Sequence, residues 1–468
     1  VDDHADPVAE LRRIYDLVVQ HSLRIEREYG PDGLRLFSRV KYSPGSDETV
    51  SLFFRVGNMH TPPLETHHKL MRMLLFEPQK AGCFLSDHKA GTAPSGLVPD
   101  WPRIVEMAEQ EGVSAVLFHN IKKHCLQDLV PRECYRDLSN QYYVNLKRNL
   151  LVIGALRQVL ATFQETGIHC IILKGIALAE RVYPNIAMRG MSDVDILVKK
   201  ADLFKVDEHL SSLGYISRDS SAAEAIHNPA GYLASLEYRK NELTPLSLHV
   251  HWHPVNTSVP AAIFAQRIDT NRLSESATAT VVADGQAWIL RPEHLIIYLC
   301  EHALRIGHSF DRLILVCDIF YAIKAFGDII DWDFIVEESR WFNLSRFVYH
   351  GLSIVKYHTS LNIPEACMAK LRPPDISWGE RYFLKLQFNN RRIRGSSYFI
   401  YLAMHRGFFA KIGFIARTFF PPARILQQQQ YRKDVEFSRS LYLLRVGEII
   451  SHILGLLSTG RKKAPESS

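Results

Sequence analysis

The chain has 468 residues, 47% of them hydrophobic and 23% charged, which excludes a disordered or fibrous protein and allows about two to four globular domains. A chain this long buries enough core to fold without a disulfide or a structural metal. Its formal charge of +6, from 56 basic and 50 acidic residues, suits anionic ligands such as triphosphates but does not by itself mark a nucleic-acid binder.

The opening VDDHADPVAELRR is acidic and polar, so no secretory leader is expected. Residues 7–28 carry Leu11, Ile14, Leu17 and Val18 at helical spacing. LRLFSRVKY and TVSLFFRV, joined by the turn-forming PGSDE, predict a β-hairpin within 34–56. Residues 77–100 concentrate Gly, Pro, Ser and Asp and read as an exposed linker, with a domain boundary near 98. Together these make residues 1–97 an accessory region of helix plus hairpin.

From Trp101 to Glu165 apolar residues recur at i, i+3 and i+4, predicting helices that end in a long run over 138–164. HCIILKG (169–175) is a short apolar strand ending in Lys174-Gly175, and IALAERVY is a short helix stopped by Pro184. SDVDILV (192–198) is a second strand, and the helix of KKADLFKVDEHLSSLG closes at Gly214. Two further strands fall within 235–253, the second being LSLHVHWHP. Past residue 290 the chain turns helical, with Pro292 and Asp331 as start signals. This gives a catalytic domain over 98–290, a helical domain over 291–440 and a basic tail over 441–468.

The seven cysteines are scattered without a CxxC pair, as expected of buried free thiols in a reducing cytoplasm. No run of about 18 uninterrupted apolar residues occurs. The aromatic and basic stretch YFIYLAMHRGFFAKIGFIARTFFPPARIL (398–426) reads either as a helix buried against the catalytic module or as a membrane-surface or partner-binding helix.

The chemistry concentrates in 22 positions, from Lys174-Gly175 through Arg189 to Asp193-Val194-Asp195. On a strand, residues i and i+2 share a face, so Asp193 and Asp195 project side by side while Val194, Ile196 and Val198 enter a core. Paired carboxylates repel unless a cation joins them, and Mg²⁺ takes one or two carboxylates plus substrate phosphates. Gly175 lets the backbone approach a phosphate, and Lys174 and Arg189 are natural phosphate partners. His249, His251 and His253 alternate along the later strand and share a face. They read as a base cluster or transition-metal site joined to the two Asp residues, or as one polar strand face.

ILKGIALAERVYPNIAMRGMSDVDILV resembles the core of an uncharacterised bacterial nucleotidyltransferase family in the DNA polymerase beta superfamily. The pattern falls on Leu173, Lys174, Gly175, Tyr183, Pro184, Arg189, Ser192, Asp193, Asp195, Leu197 and Val198, with weaker likeness over roughly 100–440. The resemblance implies an α+β fold: a nucleotidyltransferase-type mixed sheet flanked by helices, a helical C-terminal domain and an extra N-terminal region. It implies transfer of a nucleotide from a nucleoside triphosphate to an acceptor hydroxyl, phosphate or amine, with release of pyrophosphate. Asp193 and Asp195 would hold Mg²⁺ or Mn²⁺, and Lys174, Gly175, Arg189 and Ser192 would position the nucleotide. His249 or His251 would orient or deprotonate the acceptor.

Two departures stand out. Ile176 follows Gly175 where the superfamily usually has serine, and His249 stands where relatives carry a third acid. A lapsed fold that binds a nucleotide, or a peptide or carrier partner through the N-terminal region, therefore stays open. So does a metal-dependent phosphohydrolase built on the histidines. His302, Asp311, Arg312 and Asp318 match polar positions of the family and are expected either to close the cleft or to make interhelical contacts. The acceptor, whether small molecule, peptide or RNA, is not specified.

Overall fold

A computed structural model of the chain describes residues 64–90, 99–191, 193–218, 226, 234–240, 247–257, 260–393, 395–422 and scattered positions between 442 and 449. The helix expected at 7–28, the hairpin at 34–56, Ser192, the glutamine run at 427–430 and most of the tail lie outside the described residues.

The described chain opens with α1 (Leu64–Phe76) and α2 (Pro78–Lys89). The linker expected over 77–100 is corrected here for residues 78–89. Pro78 sits in the first helical turn, and Ala81, Gly82 and Leu85 are buried on one side of the helix. Gly82 is required by packing, because a Cβ there would lie 2.8 Å from a Leu126 methyl. Leu70, Met71, Leu74 and Leu75 join the same core as Trp101 and the later helices, and Phe76 meets Phe320 edge-on at 4.9 Å.

Asp100 caps α3 (Trp101–Gln110) by accepting from the Arg103 amide at 3.1 Å. Trp101, Ile104, Met107 and Ala108 form its buried stripe. After α4 (Ser114–Lys123), the expected long helix appears as α5, 34 residues over Arg132–Glu165. Burial and nearby cations or histidines lower the pKa of His68 on α1 and of His119 on α4 to about 4. In the unfolded chain these imidazoles protonate near 6.5, so acid between the two values favours unfolding. The urea midpoint should therefore fall as the pH drops from about 6.5 towards 4, and less steeply in a His68→Gln, His119→Gln variant. Identical pH slopes in the two proteins would reject this.

Among the described residues the strands are β1 (Ile171–Ile172), β2 (Asp193–Leu197), β3 (Tyr215–Ser217), β4 (Ser235–Lys240), β5 (Ser247–His251), β6 (Thr278–Val282) and β7 (Gly285–Ile289). They form one mixed sheet in the order β3-β4-β5-β2-β1-β7-β6. The β2–β5 and β1–β7 pairs are parallel and the remainder antiparallel. Between them lie α6 (Ile176–Arg181) and α7 (Leu203–Ser212).

The two-residue period of the strands sorts their side chains. Val194, Ile196 and Val198, with Leu248 and Val250, enter a core made by Leu156, Val159, Leu160 and Phe163 of α5 and Leu203, Val206 and Leu210 of α7. The opposite face carries Asp193, Asp195, His249 and His251. The helical half continues with α8 (Pro292–Ala303), α9 (Leu313–Phe326), α10 (Trp332–Trp341), α11 (Ser345–His358), α12 (Trp378–Phe388), α13 (Tyr398–Met404) and α14 (Phe408–Phe419). Pro292 opens α8, and Asp331 caps α10 through the Phe334 amide at 2.9 Å, both as expected.

Candidate active site

Parallel pairing of β2 with β5 sets Asp195 opposite His249, Asp193 opposite Ser247 and Leu197 opposite His251. Neighbouring side chains on one face of paired strands meet. The Asp195 carboxylate is buried, with the Lys174 Nζ 2.8 Å from Oδ2 and His251 Nε2 3.0 Å from Oδ1. His249 Nδ1 lies 3.7 Å from Oδ2 of Asp193 and 3.7 Å from Oδ1 of Asp195. Asp193 is the more open acid, its side chain 29% exposed against 5% for Asp195.

Lys174 reaches Asp195 because Gly175 turns the chain at φ +63°, a left-handed conformation that favours glycine. The site for a Cβ on Gly175 is 3.4 Å from the carbonyl oxygen of Asp193, so the turn lies directly against β2.

The electrostatics follow from this packing. Burial opposes ionisation of Asp195, but Lys174 and the His251 hydrogen bond outweigh it and hold the carboxyl well below its ordinary range. Burial lowers the pKa of His251 and the Asp195 hydrogen bond only partly restores it. Near neutral pH His251 is therefore neutral, with the Nε2 proton donated to the carboxylate. Its Nδ1 is buried and has no hydrogen-bond partner among the described residues.

Above these strands lies a cavity of about 400 Å³. Lys174, Asp193, Asp195, His249 and His251 form one wall, and His302, Arg305 and His308 of the helical half line the other. Glu301 and Arg305 brace that wall: Arg305 donates to Glu301 Oε2 at 2.7 Å and to the Pro254 carbonyl at 2.7 Å. His302 is buried, and burial, Lys174 and Arg305 keep its pKa well below 6.5. Its Nδ1 is buried and has no hydrogen-bond partner among the described residues, and its ring lies 4.5 Å from that of His308.

Several sequence expectations are redirected. Arg189, expected at the phosphates, does not line this cavity. Its Nε and Nη2 donate to the two oxygens of Asp318 at 2.8 and 2.9 Å, and Tyr183 donates to the same carboxylate at 2.7 Å. Asp318, buried on α9, provides the fork-shaped partner that a guanidinium prefers. Asp311 and Arg312 do not line the cavity either. His253 leaves the histidine row because β5 ends at His251, and its Nδ1 lies 2.6 Å from the Val255 carbonyl oxygen.

Glu237 was not foreseen. The antiparallel β4–β5 pairing sets it beside His249 on the site's face. Its carboxylate accepts from Arg239 at 2.6 Å, Ser247 at 2.9 Å and Arg218 at 3.0 Å. The alternation Ser235, Glu237, Arg239 is visible in the sequence, but only the pairing register puts the acid next to His249.

Asp195, His249 and His251 each offer a ligand atom within 4.8 Å of the others. One carboxylate with two imidazoles suits Mn²⁺, Zn²⁺ or Fe²⁺ better than Mg²⁺, which favours an oxygen shell. The expected Mg²⁺ therefore fits these donors less well than the alternative Mn²⁺. Asp193 adds a second carboxylate at the rim.

A mixed sheet that presents two aspartates beside a Lys-Gly turn, roofed by helices, is the architecture of a nucleotidyltransferase fold. The chain matches the family model described as "Uncharacterised nucleotidyltransferase" over residues 98–359, more than half its length, and belongs to that family. The match spans the whole sheet and the helices through α11, including every strand residue of the cavity. No curated protein and no solved structure matches the chain.

Proposed function

We propose that this chain is a metal-dependent nucleotidyltransferase that transfers a nucleotide from a nucleoside triphosphate to an acceptor. One observation carries the reading: Lys174, Asp193 and Asp195 line a single cavity large enough for a triphosphate, opposite a histidine-bearing helical wall. An acceptor hydroxyl, phosphate or amine attacks the α-phosphorus, the bond to the β-phosphate oxygen breaks, and pyrophosphate leaves. Asp193 and Asp195, with His251 beside them, would hold a divalent cation, whose contribution is to neutralise charge on the phosphate oxygens. Lys174 supplies a fixed positive charge for the phosphates, and the Arg305–Glu301 pair braces the roof above it. His249, half-buried and adjacent to both aspartates, accepts the acceptor's proton.

A second reading, a nucleotide-binding protein that no longer transfers, is favoured by one feature. Glu237, the acid nearest the third position, is already engaged by Arg218, Arg239 and Ser247.

Calorimetry with ATP, GTP, CTP and UTP, each without metal and with Mg²⁺ or Mn²⁺, separates the two readings. The transferase reading expects at least one nucleotide to bind roughly tenfold or more tightly with metal, with Mn²⁺ the better partner. Binding indifferent to metal supports the second reading, and no binding of any nucleotide sinks both.

A further inference from the structure

The aromatic face of α14 contributes no residue to the catalytic cavity and is open. Phe408, Phe409, Ile412 and Ile415 are 71%, 86%, 46% and 44% exposed, and Phe420 just beyond the helix is 61% exposed. Phe408, Ile412 and Ile415 recur at i, i+4 and i+7 and so share one stripe. Phe414 and Thr418, the buried residues of the helix, lie on its other side. Of the stretch 398–426 expected to be buried against the catalytic module, Ile400 and Tyr401 of α13 are buried and Tyr401 lines the catalytic cavity; for α14 the expectation is corrected, since only a narrow edge is covered. A contiguous apolar face of this kind marks a contact surface.

Charge decides what it contacts. Between Glu380 and Asp434 the sequence runs 53 residues, 381–433, with 11 lysines and arginines and no acidic residue. Two copies meeting through such a surface would bring like charges together, whereas an anionic surface complements it. A second observation lies at the start of the helix. Arg406, immediately before the Gly407 cap, lines a cavity of about 310 Å³ with Arg340 and Arg372. Two other cations there are already neutralised: Arg346 pairs with Asp375 and Glu380, and Lys370 with Asp333. Among the described residues, Arg340, Arg372 and Arg406 have no carboxylate partner. Arginine forks are suited to phosphate oxygens.

We infer that α14 is a membrane-surface helix. Its phenylalanines and isoleucines enter the interfacial layer of an anionic bilayer, and Arg406, Lys411 and the arginine-lined cavity hold lipid phosphates. Twelve residues make a helix of about 18 Å, too short for a hydrocarbon core of about 30 Å, so it lies in the plane of the surface. Accordingly, no helix among the described residues is long and apolar enough to cross a membrane. The inference is independent of the transferase reading, since none of these residues lines the catalytic cavity.

The test is co-sedimentation of the full chain with vesicles of phosphatidylcholine alone and of phosphatidylcholine with phosphatidylglycerol. Two variants accompany it, Phe408→Ser with Phe409→Ser, and Arg406→Glu with Lys411→Glu; their unfolding midpoints serve as the folding control. The wild type should sediment with the anionic vesicles and much less with the neutral ones. Each variant should bind at least roughly tenfold more weakly, and added salt should weaken wild-type binding. Failure of the wild type to bind anionic vesicles, or undiminished binding by both variants, overturns the inference. So does a solution dimer, seen by light scattering, that the phenylalanine variant converts to monomer, because the face would then be a self-interface.

Discussion

Asparagine at position 193 is expected to cut pyrophosphate release roughly a hundredfold to a thousandfold while leaving stability within about 0.5 kcal/mol. The same change at position 195 is expected to abolish release and also to destabilise the fold. The two aspartates share one strand face, and their surroundings make the difference. Asp193 sits at the rim with its side chain 29% exposed. Asp195 is buried between the Lys174 ammonium and the His251 imidazole, at 2.8 and 3.0 Å. An amide at 195 leaves the ammonium of Lys174, itself only 14% exposed, without its counter-charge. Stranding one partner of a buried pair typically costs about 3–5 kcal/mol. Steady-state pyrophosphate assays and urea unfolding measured on both variants decide the matter. Wild-type turnover in the Asp193 variant would end the catalytic reading. Equal unfolding curves for the two variants would show that the ion pair contributes nothing to the fold.

The second large effect lies away from the cavity. Asp318→Ala removes a buried carboxylate that accepts two hydrogen bonds from Arg189 and one from Tyr183. The guanidinium left behind is buried and unpaired, so a loss of about 3–5 kcal/mol is expected in urea unfolding. Replacing both charged partners by apolar side chains, Arg189→Met with Asp318→Leu, should recover part of that loss, because the cost of the buried charge disappears while the buried Tyr183 hydroxyl stays unpaired. Nucleotide affinity of the folded double variant should match the wild type. If it is lost while the fold stands, Arg189 reaches the phosphates after all, as its place in the motif suggested.

That pair shows where reading the sequence stopped. Arg189 stands in the middle of the chemical motif, and a phosphate was the natural partner for it. Its actual partner is 129 positions away, on a helix whose own periodicity says only that it is buried. The histidines divide in the same way. Their alternation was plain, yet His253 falls off the strand, which ends two residues earlier at His251, whereas His302 arrives from another element to line the same cavity as His251. Residues 78–89 failed differently: glycine, proline and serine suggested a loop, but the proline opens a helix and the glycine admits the Leu126 side chain.

By itself the sequence determined what is local. Two aspartates at i and i+2 in an apolar strand must share a face, Lys174-Gly175 must end a strand in a tight turn, and Pro292 and Asp331 must begin helices. Each follows from backbone geometry over a few residues. Only the tertiary structure decided what depends on register and on packing between distant segments. It set Asp195 beside His249 and His251, brought Glu237 alongside, closed the cavity with Arg305 and His302, and left the aromatic face of α14 uncovered. Strand pairing and helix docking are chosen by the fit of whole surfaces, and no short window of residues contains both surfaces of a contact.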